Sequence, residues 1–367
     1  MIAARQRRRV AITGGAGYVG SALVPALLEA GYHVTVLDLF FFGTGVFDGI
    51  RDRSRLRTVR LDIRDERSLT RALQGMEAVI HLACISNDPS FELDPRLGRS
   101  INYDAFPGLL RAVRANRVRQ FLYASSSSVY GIREQPDVRE DSPCEPLTDY
   151  SRYKLRCEEM LKVEGLGACE WVIVRPATIC GDAPRLRLDV TVNLLTIHAL
   201  VKKRITVFGG SQLRPNLNIH DMVDAYRCLM EAPGDAVHQQ TFNVGYENRS
   251  VAELAELVRR GVGDPTVTIE VQPTDDLRSY HINSDRIRQT LGFAPRWTIE
   301  EAIQSVCEAY RAGRIPHPLT DIRYDNIKTM QALHVPQNRH IPFALKSLRV
   351  ARQSRQATGS TQPVGLR

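Results

Sequence analysis

Tyr150 and Lys154 stand four residues apart in "DYSRYK", so a helix would carry them on one face. That pair can do proton chemistry. A free tyrosine, with a pKa of about 10, is a poor base at neutral pH. An ammonium one helical turn away stabilises the phenolate. The phenolate could then take a hydroxyl proton while hydride leaves the same carbon. Tyr153 has Cys157 four residues on, not a lysine, so Tyr150 is the paired tyrosine. Spacing alone is a thin warrant, because "YDNIK" repeats it with Tyr324 and Lys328. That second copy follows no cofactor-type strand and reads as a surface pair. Upstream, "ASSSSVYG" puts four serines at the end of a short apolar run. A serine hydroxyl there could hold a developing oxyanion or relay the proton.

Such chemistry needs a hydride acceptor, and the N-terminal region supplies a place for one. "GGAGYVG" sets Gly14, Gly17 and Gly20 between an apolar strand and a helix. The first glycine allows a tight turn, the second a close backbone approach to a pyrophosphate, the third close helix–strand packing. The helix N-terminus, with Tyr18 and Val19 beside the glycines, then faces the phosphates with its partial positive charge. Asp38 ends the next strand and can accept hydrogen bonds from a ribose hydroxyl pair. A 2′-phosphate would be repelled there, so the expected cofactor is NAD and not NADP.

The elements that must position these residues alternate. "RRVAIT", "HVTVLD", "RTVRLDIRD", "EAVIHLA", "RQFLYASS" and "CEWVIVRPA" read as strands, separated by helical runs. Strands apolar along their whole length imply a parallel sheet covered on both faces. The expectation is an α/β, Rossmann-type doubly wound parallel sheet with a smaller mixed α/β substrate-binding lobe at its carboxyl edge. Residues 1–176 would form the dinucleotide-binding domain, with a segment around 215–245 returning to it. Residues 177–330 would form mainly the substrate lobe, and 331–367 a basic, disordered tail.

Taken in order, these motifs resemble the extended short-chain dehydrogenase/reductase family, in its NAD-dependent nucleotide-sugar epimerase/dehydratase group. The likeness runs over residues 8–313, through "GGAGYVG", "LDIRD", "HLA", "NYDAF", "SSSSVYG", "DYSRYK", "VRPATICG", "NLNIHDMVDA" and "FNVG". It implies adenine-side contacts at Asp62 and Ile63, a segment under the cofactor at Leu82 and Ala83, and a cofactor role for Asn102. It also selects Ser126, four residues before Tyr130 of "VYG", as the catalytic hydroxyl beside Tyr150 and Lys154. On the substrate side it implies that Arg214 and Arg278 grip a diphosphate, for which a guanidinium fork is suited. Asn193, Ser127, Thr178, and Ser86 and Asn87 of the "CISNDPSFE" loop are further substrate candidates. Arg185 and Arg187 of "PRLRLD" could touch phosphate, sugar or solvent. A homodimer through helices around 104–116 and 150–164 is implied as well.

The two positions after Ser126 carry the reaction argument. In this family 4,6-dehydratases place Asp-Glu there, decarboxylases a Glu at the second position, and 3,5-epimerases a Cys. Ser127 and Ser128 supply none of these. The expectation is a 4-epimerase working through a transient 4-keto sugar with NAD recycled. A 4-dehydrogenase or 4-keto reductase uses the same three residues. A non-catalytic NAD-sensing protein of this fold is the reading from another class, disfavoured because both tyrosine and lysine are present.

Composition narrows the rest. The net charge of +8 invites a nucleic-acid reading, but its placement does not support one. Four arginines crowd residues 1–9, and six basic residues without an acid occupy 331–367, leaving the body two charges negative. The chain shows no apolar run of the ~20 residues a membrane span needs. Seven scattered cysteines form no C-x-x-C and match no metal-ligand spacing, so reduced thiols, a cytoplasmic setting and no metal are expected.

Overall fold

The computed structural model describes residues 8–333, except 134, 136, 275–278 and 280. Seven strands build the main sheet: β1 (Arg9–Thr13), β2 (His33–Asp38), β3 (Leu56–Arg60), β4 (Ala78–His81), β5 (Gln120–Ala124), β6 (Glu170–Pro176) and β10 (Gln240–Val244). They lie in the order β10-β6-β5-β4-β1-β2-β3, every neighbouring pair parallel. The alternation along β1 shows why the sheet is covered twice. Val10 and Ile12 join one hydrophobic cluster, while Ala11 between them joins the other on the opposite face.

Chain order reverses between β1 and β4, which leaves a crevice at their carboxyl ends. The smaller lobe lies on that side. It carries β7 (Thr178–Cys180), β9 (Leu213–Asn218) and β11 (Glu247–Ser250) in one mixed sheet, and β8 (Arg204–Phe208) with β12 (Thr268–Gln272) in a second. The expected parallel doubly wound sheet with a smaller mixed lobe is what the chain forms.

Helix boundaries follow local chemistry. The Asp149–Glu164 helix, which must present Tyr150 and Lys154, starts with a capping box of Thr148 and Ser151 and stops at Gly165, φ +58°. Val251–Val262 and Ile299–Arg311 open with capping boxes as well, Ser250/Glu253 and Thr298/Glu301. Pro107 sits in the first turn of the Phe106–Ala115 helix, where its missing N–H costs nothing. The short Asn326–Leu333 helix returns to the crevice from the end of the described chain. Residues 334–367, most of the tail expected to be disordered, lie outside the described residues.

Candidate active site

The reversal point is tied by one buried contact, Thr13 Oγ1 to His81 Nδ1 at 2.7 Å. Burial, helped by the Lys154 charge, pushes His81 down to about 3, so the ring is neutral and serves as a brace. From β1 the chain turns at Gly14, φ +72°, whose N–H donates to Leu37 O (2.8 Å). A Cβ on Gly14 would stand 2.6 Å from the Ala83 backbone, and one on Gly20 2.5 Å from Gly15. Only glycine lets these segments pack. The Tyr18–Glu29 helix then begins at Gly17, with no side-chain cap and no acid in its first turn. Gly14, Gly17, Tyr18, Val19 and Gly20 all line the cleft. At the end of β2, Asp38 Oδ2 accepts from Ala16 N–H (3.0 Å) and Oδ1 from Phe40 N–H (2.7 Å). Burial raises its pKa, and these N–H groups oppose the rise.

Asp62, Ile63, Leu82 and Ala83 line the same end. The Asp62 carboxylate is paired with Arg64 at 2.6 Å, which fixes its direction. Asn102 is placed differently: it does not line the cleft but braces the loop after β4, accepting from Ile85 N–H (2.8 Å) and donating to Ile85 O (2.9 Å).

Ser126, Tyr150 and Lys154 meet at the centre of the cleft. Ser126 caps a tight turn, accepting from Ser128 N–H at 3.1 Å with the two hydroxyls 2.9 Å apart. Its hydroxyl also acts on Tyr150, lowering that group's pKa. Burial is the largest influence on Tyr150 and raises its pKa well above the usual tyrosine value; Cys84 and Asp88 raise it further, while Arg187 and Ser126 lower it. The buried Lys154 donates from Nζ to Ala124 O (2.6 Å) and lies 5.9 Å from the Tyr150 ring centre. The lysine is thus anchored to the end of β5, directly before the serines. Beneath them, Glu158 binds both Ser125 and Arg175, the latter at 2.6 Å with neither side chain more than 2% exposed. Tyr153 has a structural place, its ring packed at a tilt against Tyr103 and Phe91.

Ser86, Asn87, Ser127, Thr178 and Arg214 also line the cleft. Ser86 Oγ accepts from Asn326 Nδ2 (2.9 Å), and Asn87 Nδ2 donates to Asp189 Oδ2 (3.2 Å). Asn193 does not face the cleft. It is fully buried, accepts from Gly181 N–H (2.9 Å), and donates to Arg187 O (2.8 Å) and Tyr18 Oη (3.1 Å). Its work is to shape the loop that delivers Arg185 and Arg187. Arg278 lies outside the described residues. Arg185 and Arg187 both line the cleft and are largely buried, so solvent contact is not their role. Sequence reasoning missed Asn326 and Asp189. Asn326 comes from the "YDNIK" stretch read as plain surface, and no periodicity or motif marks it. Tyr324 and Lys328 form no pair there; Lys328 Nζ lies 3.3 Å from Asp325.

A dinucleotide fits what is present: an uncapped helix start, an acid braced at the end of β2, and a buried Arg185 Nε without a partner. Fold and site together define a Rossmann-type dinucleotide-binding protein with a serine–tyrosine–lysine centre. Residues 10–245 match the model of the NAD dependent epimerase/dehydratase family, and the chain belongs to that family. It is 31% identical to a UDP-glucose 4-epimerase of Mycolicibacterium smegmatis over 83% of this chain and 98% of that one. A UDP-glucuronic acid decarboxylase 1 of Arabidopsis thaliana is 29% identical over 84% of this chain and 71% of that one. Among solved structures, a dTDP-glucose 4,6-dehydratase of Streptomyces venezuelae with NAD bound shares the fold at a TM-score of 0.76 and 22% identity, covering 83% and 98% of the two chains. NAD is the family's cofactor, and its relatives include epimerases, dehydratases and decarboxylases of nucleotide sugars. Among the described residues no helix is long and apolar enough to cross a membrane.

Proposed function

We propose that the protein is an NAD-dependent nucleotide-sugar 4-epimerase. The observation that carries this reading is the turn at Ser126–Ser128, hydroxyl-only, beside Tyr150. NAD, when bound, supplies a hydride acceptor at the sugar carbinol. As the phenolate, which the charge of the bound dinucleotide must favour against the burial that raises its pKa, Tyr150 takes the hydroxyl proton, and Ser126 holds the same oxygen as it becomes a carbonyl. Lys154, tied to Ala124 O, fixes a positive charge beside the phenolate. The 4-keto sugar turns over within the cleft, and hydride and proton return to the other face. Removal of a carbon-bound proton, which dehydration and 3,5-epimerisation require, needs a carboxylate or thiolate at the serine turn, and none is there. Of the other cleft groups, the Asp88 carboxylate accepts a hydrogen bond from the Thr148 hydroxyl. Arg214, on β9 and lining the cleft, suits the substrate diphosphate. A homodimer through the Phe106–Ala115 and Asp149–Glu164 helices is part of the proposal, and sedimentation velocity tests it.

The experiment is incubation with UDP-, GDP-, dTDP- and CDP-hexoses, read by NMR at the sugar ring and by absorbance at 340 nm. Inversion at C4 without lasting NADH is the expected result. NADH accumulating in proportion to sugar would make the enzyme a 4-dehydrogenase instead.

A further inference from the structure

Two arginines enter the cleft on one loop, and they are in opposite states. Arg187 is neutralised by Asp189, Nε to Oδ1 at 2.8 Å. Arg185 is 6% exposed and has no carboxylate within ion-pair distance among the described residues. Its Nη2 donates to Asn326 Oδ1, its Cζ lies 3.7 Å from the Phe42 ring centre, and its Nε has no partner. A buried guanidinium that Asp189 and Asp38 offset only from beyond ion-pair distance is costly, and an anion bound beside it would relieve that cost. Burial, then Arg187, pushes Arg185 down to about 9, still high enough to stay charged at neutral pH.

Its position says which anion. Arg185 N–H donates to Ser21 Oγ at 3.1 Å, one turn into the helix that begins at Gly17. Its charge is felt by Asp38. Its backbone is therefore fixed beside the helix that follows the glycine turn. The uncapped helix start and the guanidinium with its partnerless Nε line the same cleft, and both call for phosphate oxygens.

We propose that Arg185, delivered by the smaller lobe, binds the pyrophosphate of the dinucleotide against the Gly14–Gly20 turn. The cofactor is thereby held from both lobes, with Phe42 and Asn326 keeping the guanidinium in place. Retention of NAD between turnovers follows, which suits chemistry that returns the hydride it takes. The inference rests on NAD occupying this cleft, not on the choice of sugar or reaction.

The test is calorimetric titration of cofactor-stripped protein with NAD, ADP, adenosine and UDP, comparing the unaltered chain with Arg185→Met and Arg185→Lys. The lysine variant keeps a charge and guards against a folding defect in the methionine one. Arg185→Met should weaken NAD and ADP roughly 30-fold to 300-fold while adenosine and UDP change less than about three-fold, as expected for losing a charge-assisted phosphate contact. Arg185→Lys should fall between. NAD and ADP affinities close to those of the unaltered chain would overturn the proposal, as would an equal loss for adenosine. A loss confined to UDP would assign Arg185 to the substrate diphosphate and overturn it too. Failure of the unaltered protein to bind NAD would reject the NAD reading itself, a result distinct from all of these.

Discussion

Along β1, β2 and β4 the cleft is walled by backbone. Gly14 and Gly20 permit contacts that any Cβ would block, and Asp38 is aimed by two backbone N–H groups. The second wall, from Arg185 to Asp189 together with Asn326 and with Ser86 and Asn87 of the loop after β4, is built of side chains that hold one another. A backbone wall tolerates almost no change and binds what all relatives bind. A side-chain wall can be rebuilt one residue at a time, which is how one fold serves several sugars. Between them sit Ser126, Tyr150 and Lys154, fixed from below by the buried Glu158–Arg175 pair.

Breaking the centre should cost most. Tyr150→Phe keeps the ring and the packing but removes the acid–base group, and turnover should fall about 10²–10⁴-fold. NAD affinity should change little, as titration of the variant would show. Gly14→Ala attacks the backbone wall. With φ at +72° and a Cβ 2.6 Å from Ala83, it should abolish measurable NAD binding, and in the melt it should be less stable than the unaltered chain. Asn87→Ala, on the side-chain wall, should leave NAD affinity nearly intact while raising KM. Equal effects of these two on NAD would erase the distinction between the walls.

Smaller effects sharpen it. Glu158→Ala strands the buried Arg175 and should cost about 3–5 kcal/mol in denaturant unfolding. The exposed pair Arg114–Glu164 should be worth under about 1 kcal/mol by the same measurement. His81 adds a pH dependence. Its folded value of about 3 lies below the usual 6.5, so the unfolded chain binds the proton first. Its contribution is complete above pH 6.5 and is lost as pH falls towards 3, at up to about 1.4 kcal/mol per pH unit. A His81→Gln variant should show a flatter decline in stability over that range.

The two walls also differ in how far the sequence reveals them. Strand, glycine turn, helix and terminal acid are contiguous in "RRVAITGGAGYVG" through Asp38, so periodicity and spacing expose the cofactor side. The helical spacing of Tyr150 and Lys154 is equally local. Asn326 reaches Ser86 from 240 residues away, and Asp189 meets Asn87 from 102 away. Such contacts depend on how the lobes close, and no local pattern encodes them. Asn102 and Asn193 show the reverse case. The family resemblance implied ligand contacts for both, but Asn102 bonds the Ile85 backbone, and Asn193 bonds backbone groups and Tyr18 Oη. A buried asparagine looks the same in sequence whether its partner is a ligand or a carbonyl.

The central claim is that the reaction moves hydride at C4 and never removes a carbon-bound proton. Turnover of an accepted nucleotide hexose in D₂O, followed by proton NMR and mass spectrometry, tests it most directly. The account predicts inversion at C4 with protium retained at C3, C4 and C5 and no gain in mass. Deuterium at C3 or C5, or a product lighter by water, would contradict it and turn attention to Asp88 and Cys84 as the groups that move the proton.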